Sequence, residues 1–114
     1  MQAMAENSRY LGEFEQLLLL AILQCGDDAY TVPIRDVLLE KSGRHVARGA
    51  LFTSLDRLEA KGIVKSRMSA PLEARGGRAR RYYSVTPAGL DALRAARAAM
   101  ATMAQGLESL LERR

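Results

Sequence analysis

A mainly α-helical domain with one small β-hairpin is the fold class this sequence predicts, and three observations predict it. Apolar residues recur at helical spacing from about residue 13 to residue 61. The period then drops to two on either side of a proline- and glycine-containing segment. Positive charge gathers in that same part of the chain. The 114 residues, 48% of them apolar and none tryptophan, amount to one domain with a single modest core.

Taken in order, residues 1–9 show no periodicity and read as a frayed leader. Glu13 to Gln24, EFEQLLLLAILQ, is apolar on nearly every side after its first turn, so it predicts the buried central helix. Gly26-Asp27-Asp28 ends it with turn chemistry. A second helix is expected over Val32 to Lys41, with Thr31 as N-cap, Pro33 in the first turn and Ser42-Gly43 as its close. Ile34, Val37, Leu38 and Leu39 would form its core stripe. The third helix, Arg48 to Lys61, has Leu51, Leu55 and Leu58 on one face and Gly49, Thr53, Asp56, Arg57 and Ala60 on the other. That outer face is small, polar or positive, which suits a major groove about 12 Å wide. Gly62 is placed to stop the helix in a left-handed turn.

Strands are expected over Ile63 to Ser69 and Arg80 to Val85, joined by a long basic tip, Ala70 to Ala79. Tyr83 shares a face with Val85 and is expected in the core, leaving Tyr82 as the exposed ring. Thr86-Pro87 then provides an N-cap and a proline at the first helical position. The helix that follows is expected to run toward Arg114. Along it Leu93, Ala96, Met100, Met103, Leu107 and Leu110 are spaced by 3, 4, 3, 4 and 3, a heptad seam that predicts a homodimer contact. Three helices, a strand, a basic loop, a strand and a last helix make the order of a winged helix-turn-helix with an added C-terminal dimerisation helix. Residues 1–10 would be leader, 11–86 the DNA-binding domain and 87–114 the dimerisation helix.

The net charge of +4 hides a division. Residues 1–43 sum to −4, residues 44–82 to +7 and residues 83–114 to +1. A basic middle third of this kind is the footprint of a polyanion-binding surface, nucleic acid first; solvation of an ordinary face is the alternative. The longest apolar run, Leu17 to Leu23, has 7 residues, against about 20 for a membrane span. No export signal is evident, and the lone Cys25 excludes an internal disulfide, so a cytoplasmic location is expected. His45 and Cys25 make neither a metal set nor a nucleophile–base pair, so no metal, cofactor or catalysis is expected. Cys25 reads as an inert core residue.

The stretches LGEFEQLLLLAIL, DDAYTVPIRDVLLEKSG, RGALFTSLDRLEAKGIVKSR and RGGRARRYYSVTPAGLDAL resemble the PadR family of transcriptional regulators over about residues 11–94. ALFTSLDRLEAKGIV and RRYYSVTPAG carry most of the likeness, although wings of the MarR family end in a pattern similar to the second. Phe52-Thr53 departs from the tyrosine and small residue or proline common in the family. The tail resembles the short members with a single C-terminal helix. The resemblance implies a homodimer that represses by occupying a palindromic operator in double-stranded DNA. Carried over to this chain, it puts Arg48, Thr53, Ser54 and Arg57 in or beside the major groove, with Arg57 able to fork to a guanine edge. Lys65, Arg75, Arg78 and Arg80 of the wing would neutralise phosphates. Arg57 could instead pair with Asp56 or Glu59 on a solvated face. Leu93, Met100, Met103, Leu107 and Leu110 would form the dimer seam, and an apolar effector would fit a cavity lined by Phe14, Leu18, Met100 and Met103. The alternative function is a winged-helix protein-interaction or RNA-binding module without base readout, which has no need of the heptad seam.

Overall fold

The computed structural model describes residues 10–70, 76–77 and 79–112. Helix α1 (Glu13–Cys25) is followed by a single 3-10 turn over Gly26–Asp28, then α2 (Thr31–Ser42) and α3 (Arg48–Ala60). Strands β1 (Val64–Met68) and β2 (Arg81–Val85) come next, then α4 (Pro87–Ala104) and the short α5 (Glu108–Leu111). The fold is a winged helix, mainly helical, with one two-stranded antiparallel sheet.

The all-round apolar character of α1 has the expected effect. Leu18, Leu19, Ala21 and Ile22 are buried, and α1 packs against α2, β2 and α4. Leu51, Leu55 and Leu58 on α3, Ile34 and Leu38 on α2, Ile63 just before β1, and Val64 and Tyr83 from the sheet join them in the core. Helix α3 stops as its sequence predicts. Gly62 has φ +78°, its N–H donates to the Glu59 carbonyl, and the Ile63 N–H donates to Leu58, the paired bonds of a Schellman turn.

Val64 pairs with Val85, Ser66 with Tyr83 and Met68 with Arg81. Strand alternation therefore puts Tyr83 in the core and Lys65, Arg67, Tyr82 and Ser84 on the outer face. One further backbone bond ties the hairpin to the bundle, from Tyr83 N–H to the Ala29 carbonyl at 2.8 Å.

The junction between hairpin and α4 is dense. The Thr86 hydroxyl accepts from the Gly89 N–H at 3.0 Å and shares its proton between the carbonyls of Gly62 (2.6 Å) and Ile63 (3.0 Å). The Thr86 N–H also donates to Ile63. A Cβ on Gly89 would overlap the Ile63 carbonyl oxygen and lie 2.8 Å from Val85 Cγ1. Only glycine lets the first turn of α4 come this close.

Four expectations need correction. The N-cap of α2 is Tyr30, extended at φ −119° and without a side-chain cap, because the chain leaves the Ala29–Tyr83 bond in strand-like geometry and turns helical at Thr31. Leu39 is 49% exposed, because it points away from the stripe that Ile34 and Leu38 bury. Leu93, placed in the dimer seam, is only 4% exposed and belongs to this chain's own core, since the first turns of α4 pack on α1 and β2. The C-terminal helix does not run unbroken. It ends at Ala104, Gly106 takes φ +84°, and α5 follows as a separate turn.

The Tyr83 hydroxyl is buried and has no hydrogen-bond partner among the described residues. Burial raises its pKa above the usual value near 10, Asp56 and Glu59 add to the rise, and Arg81 opposes it. This phenol's contribution to stability is whole below about pH 10 and is lost as pH climbs through its raised value, because the unfolded chain ionises first. Urea unfolding should find Tyr83→Phe within about 1 kcal/mol of wild type at neutral pH, or more stable, and without this alkaline loss. Gly89→Ala should cost about 1–3 kcal/mol in the same assay. Gly49→Ala, whose Cβ meets nothing within 4 Å, should be neutral or stabilising by up to about 1 kcal/mol.

Candidate nucleic-acid interface

The helix-turn-helix is formed by α2, the link 43–47 and α3. Gly43, at φ +75°, closes α2 with its N–H on the carbonyls of Leu38 and Leu39. Arg35 Nε then donates to the Val46 carbonyl at 2.9 Å. These bonds hold the link against α2 and so fix the start of α3, which no side chain caps.

With its leucine face in the core, α3 turns the opposite face to solvent. Arg48, Gly49, Thr53, Asp56, Arg57 and Ala60 are exposed, while Ser54 is half-buried at the edge of that face. Arg48 leans over the Phe52 ring, 5.8 Å from its centroid. Arg57 forms no ion pair with Asp56 or Glu59; Glu59 instead accepts from the Ser66 hydroxyl at 2.8 Å. The guanidinium of Arg57 is therefore uncommitted among the described residues.

Two cations of the basic middle third are paired with carboxylates of α1. Arg44 pairs with Glu13 at 2.6 Å and Lys61 with Glu15 at 3.3 Å. Part of the charge division along the sequence thus becomes two ion pairs that tie α1 to the α2–α3 link and to the end of α3. Lys65 and Arg67, both exposed on the outer face of β1, have no such partner among the described residues.

Arg75 and Arg78 lie outside the described residues. Arg80 stacks on the Tyr30 ring at 3.8 Å, and Arg67 on the Tyr82 ring at 4.6 Å. The two rings meet edge to face, with centroids 5.6 Å apart at 68°. Tyr82 is thus half-buried rather than a free exposed ring. Tyr30 and Arg67 are not among the residues that the sequence singles out. Alternation puts Arg67 outward, but nothing local in the sequence brings residue 30 to the wing.

On α4 and beyond, Met100 is 66% exposed, Met103 77%, Leu107 43% and Leu110 72%; no residue of α4 past Leu93 is buried. Leu18 is completely buried and Phe14 half-buried, so of the two only Phe14 offers surface to a ligand. Among the described residues no three His, Cys, Asp or Glu side chains are grouped as a metal would need, and no helix is long and apolar enough to cross a membrane.

Residues 19–95 match the model of the transcriptional regulator PadR-like family. The transcriptional regulator Rv3488 of Mycobacterium tuberculosis is 40% identical over 67 residues, a match spanning 59% of this chain and 59% of that relative. A PadR family transcription regulator from Clostridium difficile R20291 superposes with a TM-score of 0.66 at 27% identity, over 85% of this chain and 97% of that one. A PadR family regulator from Eggerthella lenta gives 0.65 at 26% identity, over 98% and 92%.

Burial, and then the carboxylates of Asp28 and Asp36, raise the pKa of the Cys25 thiol above its ordinary value. The thiolate is correspondingly scarce at neutral pH. Iodoacetamide should label Cys25 several-fold more slowly than an exposed peptide thiol near pH 7. Mass spectrometry should see the rate climb as pH rises through the raised pKa.

Proposed function

Since the chain belongs to the PadR-like family of transcriptional regulators, whose members bind DNA and are not enzymes, we propose that it is a repressor occupying a palindromic operator as a homodimer. The observation that carries this reading is how the cations are sorted. Arg44 and Lys61 are neutralised within the chain, whereas Arg48, Arg57 and Lys65 are exposed and unpaired among the described residues. Helix α3 enters the major groove. Arg57 forks to a guanine edge, Thr53 reads an adjacent base edge, and Arg48 and the half-buried Ser54 serve the groove's rim. Lys65 and Arg80, with Arg75 and Arg78 of the wing tip, neutralise phosphates and supply affinity and salt dependence.

A second copy of this chain covers the apolar side chains Met100, Met103, Leu107 and Leu110. Two-fold pairing through the residues beyond Leu93 sets two reading helices about 34 Å apart, one turn of DNA. In the short form proposed here residues 11–86 read DNA and the rest dimerise, and the protein acts in the cytoplasm. A small apolar effector would enter between Phe14 of one protomer and the methionines of α4, with Leu18 behind that wall. Effector binding that changed DNA affinity would have to act through this seam.

Fluorescence anisotropy on DNA from upstream of its own coding sequence, beside mixed-sequence competitor, tests the reading, with stoichiometry from light scattering. A dimer per site, tighter on one sequence than on competitor, is the expected result. Arg57→Gln should erode that preference by about 1–3 kcal/mol, and Met103→Glu should yield monomers that lose it. Weak, sequence-blind binding by a monomer would favour the interaction-module alternative.

A further inference from the structure

The bond from Tyr83 N–H to the Ala29 carbonyl sets residues 29 and 83 side by side, both buried. Their neighbours Tyr30 and Tyr82 therefore emerge together on the outer side, where the rings meet. A guanidinium sits over each ring, its central carbon 3.8 Å from the centroid for Arg80 on Tyr30 and 4.6 Å for Arg67 on Tyr82, so four side chains alternate cation, ring, ring, cation across the root of the wing. Stacking engages the face of a guanidinium and leaves its in-plane N–H donors available. Neither side chain has an acceptor among the described residues. Two planar forks with unspent donors, held in fixed orientation, match the bidentate geometry of a phosphate. They stand beside the N-terminus of α2, the first helix of the helix-turn-helix, which crosses the DNA backbone in such motifs.

We infer that Tyr30 and Tyr82 are positioning residues for a DNA-backbone clamp, holding Arg80 and Arg67 so that each meets a phosphate and the wing keeps one angle to α2. This inference rests on the DNA-binding reading above and adds Tyr30, Tyr82 and Arg67 to it. The rings make no contact with DNA themselves; they reduce the rotamer freedom that each long arginine would otherwise lose on binding.

The test is the salt dependence of binding to a labelled mixed-sequence DNA duplex, read by anisotropy, with folding checked by thermal melting. For Tyr30→Leu and Tyr82→Leu, the slope of log affinity against log salt should become shallower by about 0.9 for each phosphate no longer neutralised. Affinity should fall by about 2- to 30-fold. Tyr30→Phe and Tyr82→Phe, which keep the ring, should retain the wild-type slope and affinity, whereas losing a hydroxyl bonded to DNA would lower the affinity. Tyr30→Leu should add nothing further in an Arg80→Gln background. A folded Tyr30→Leu protein with the wild-type slope would overturn the clamp. Should the leucine variants fail to fold, unchanged slopes for the surface variants Arg67→Gln and Arg80→Gln would overturn it equally. A wild-type protein with no salt-dependent DNA binding would instead overturn the function on which the clamp rests, before any substitution is made.

Discussion

The hydrogen bond between Tyr83 and Ala29 is the constraint on which the arrangement of hairpin and helices depends. A two-stranded hairpin is marginal by itself, and here one strand borrows a third neighbour from the segment between α1 and α2. That neighbour fixes the hairpin's place on the bundle. It also imposes strand alternation on a segment that would otherwise be loop. Ala29 and Tyr83 enter the core, Tyr30 and Tyr82 pack outside, and α2 begins from an extended residue rather than from a side-chain cap.

The electrostatics follow from the same packing. Helix α1 brings Glu13 to the link between α2 and α3 and Glu15 to the end of α3, where Arg44 and Lys61 meet them. The Glu13 pair is exposed and worth little in stability. The second is better shielded, and Glu15 also accepts the Gly12 N–H at 2.9 Å, so it helps start α1 as well. The acidic segment thereby withdraws two cations from the basic one. The cations left over stand on the outer faces of α3 and the hairpin, where none forms an ion pair among the described residues. A sum over the sequence overstates the charge on offer, while the folded chain shows which part of it faces outward.

Much of this is legible in the sequence because the signals are local. Thr86-Pro87 dictates a helix start from hydroxyl and ring geometry, Gly62 a left-handed stop, and the leucines of α3 a buried face. What escapes a reading of the sequence depends on distant partners. Leu93 continues a heptad rhythm, yet the close approach at Gly89 draws the first turns of α4 against the core and assigns Leu93 to this chain. The same rhythm predicts helix through Gly106, and spacing alone carries no penalty for glycine's backbone freedom. Thr53 and Arg57 face outward as expected, because a helix face follows from its own periodicity. Tyr30 gives no such signal, because its partners stand some fifty positions away.

Gly89 has a mechanical consequence. Its missing side chain lets α4 seat directly on the Ile63 carbonyl, with Thr86 bonded to both sides of the joint. The connection between hairpin and α4 is therefore a weld rather than a hinge, and the two elements move as one lever. In a two-fold assembly built on Met100 and Met103 at the far end of that lever, a small rotation about the seam would be magnified at α3. Adjusting the methionine-rich end of α4 would then be a means of tuning the reach of α3, without altering any residue of α3 itself.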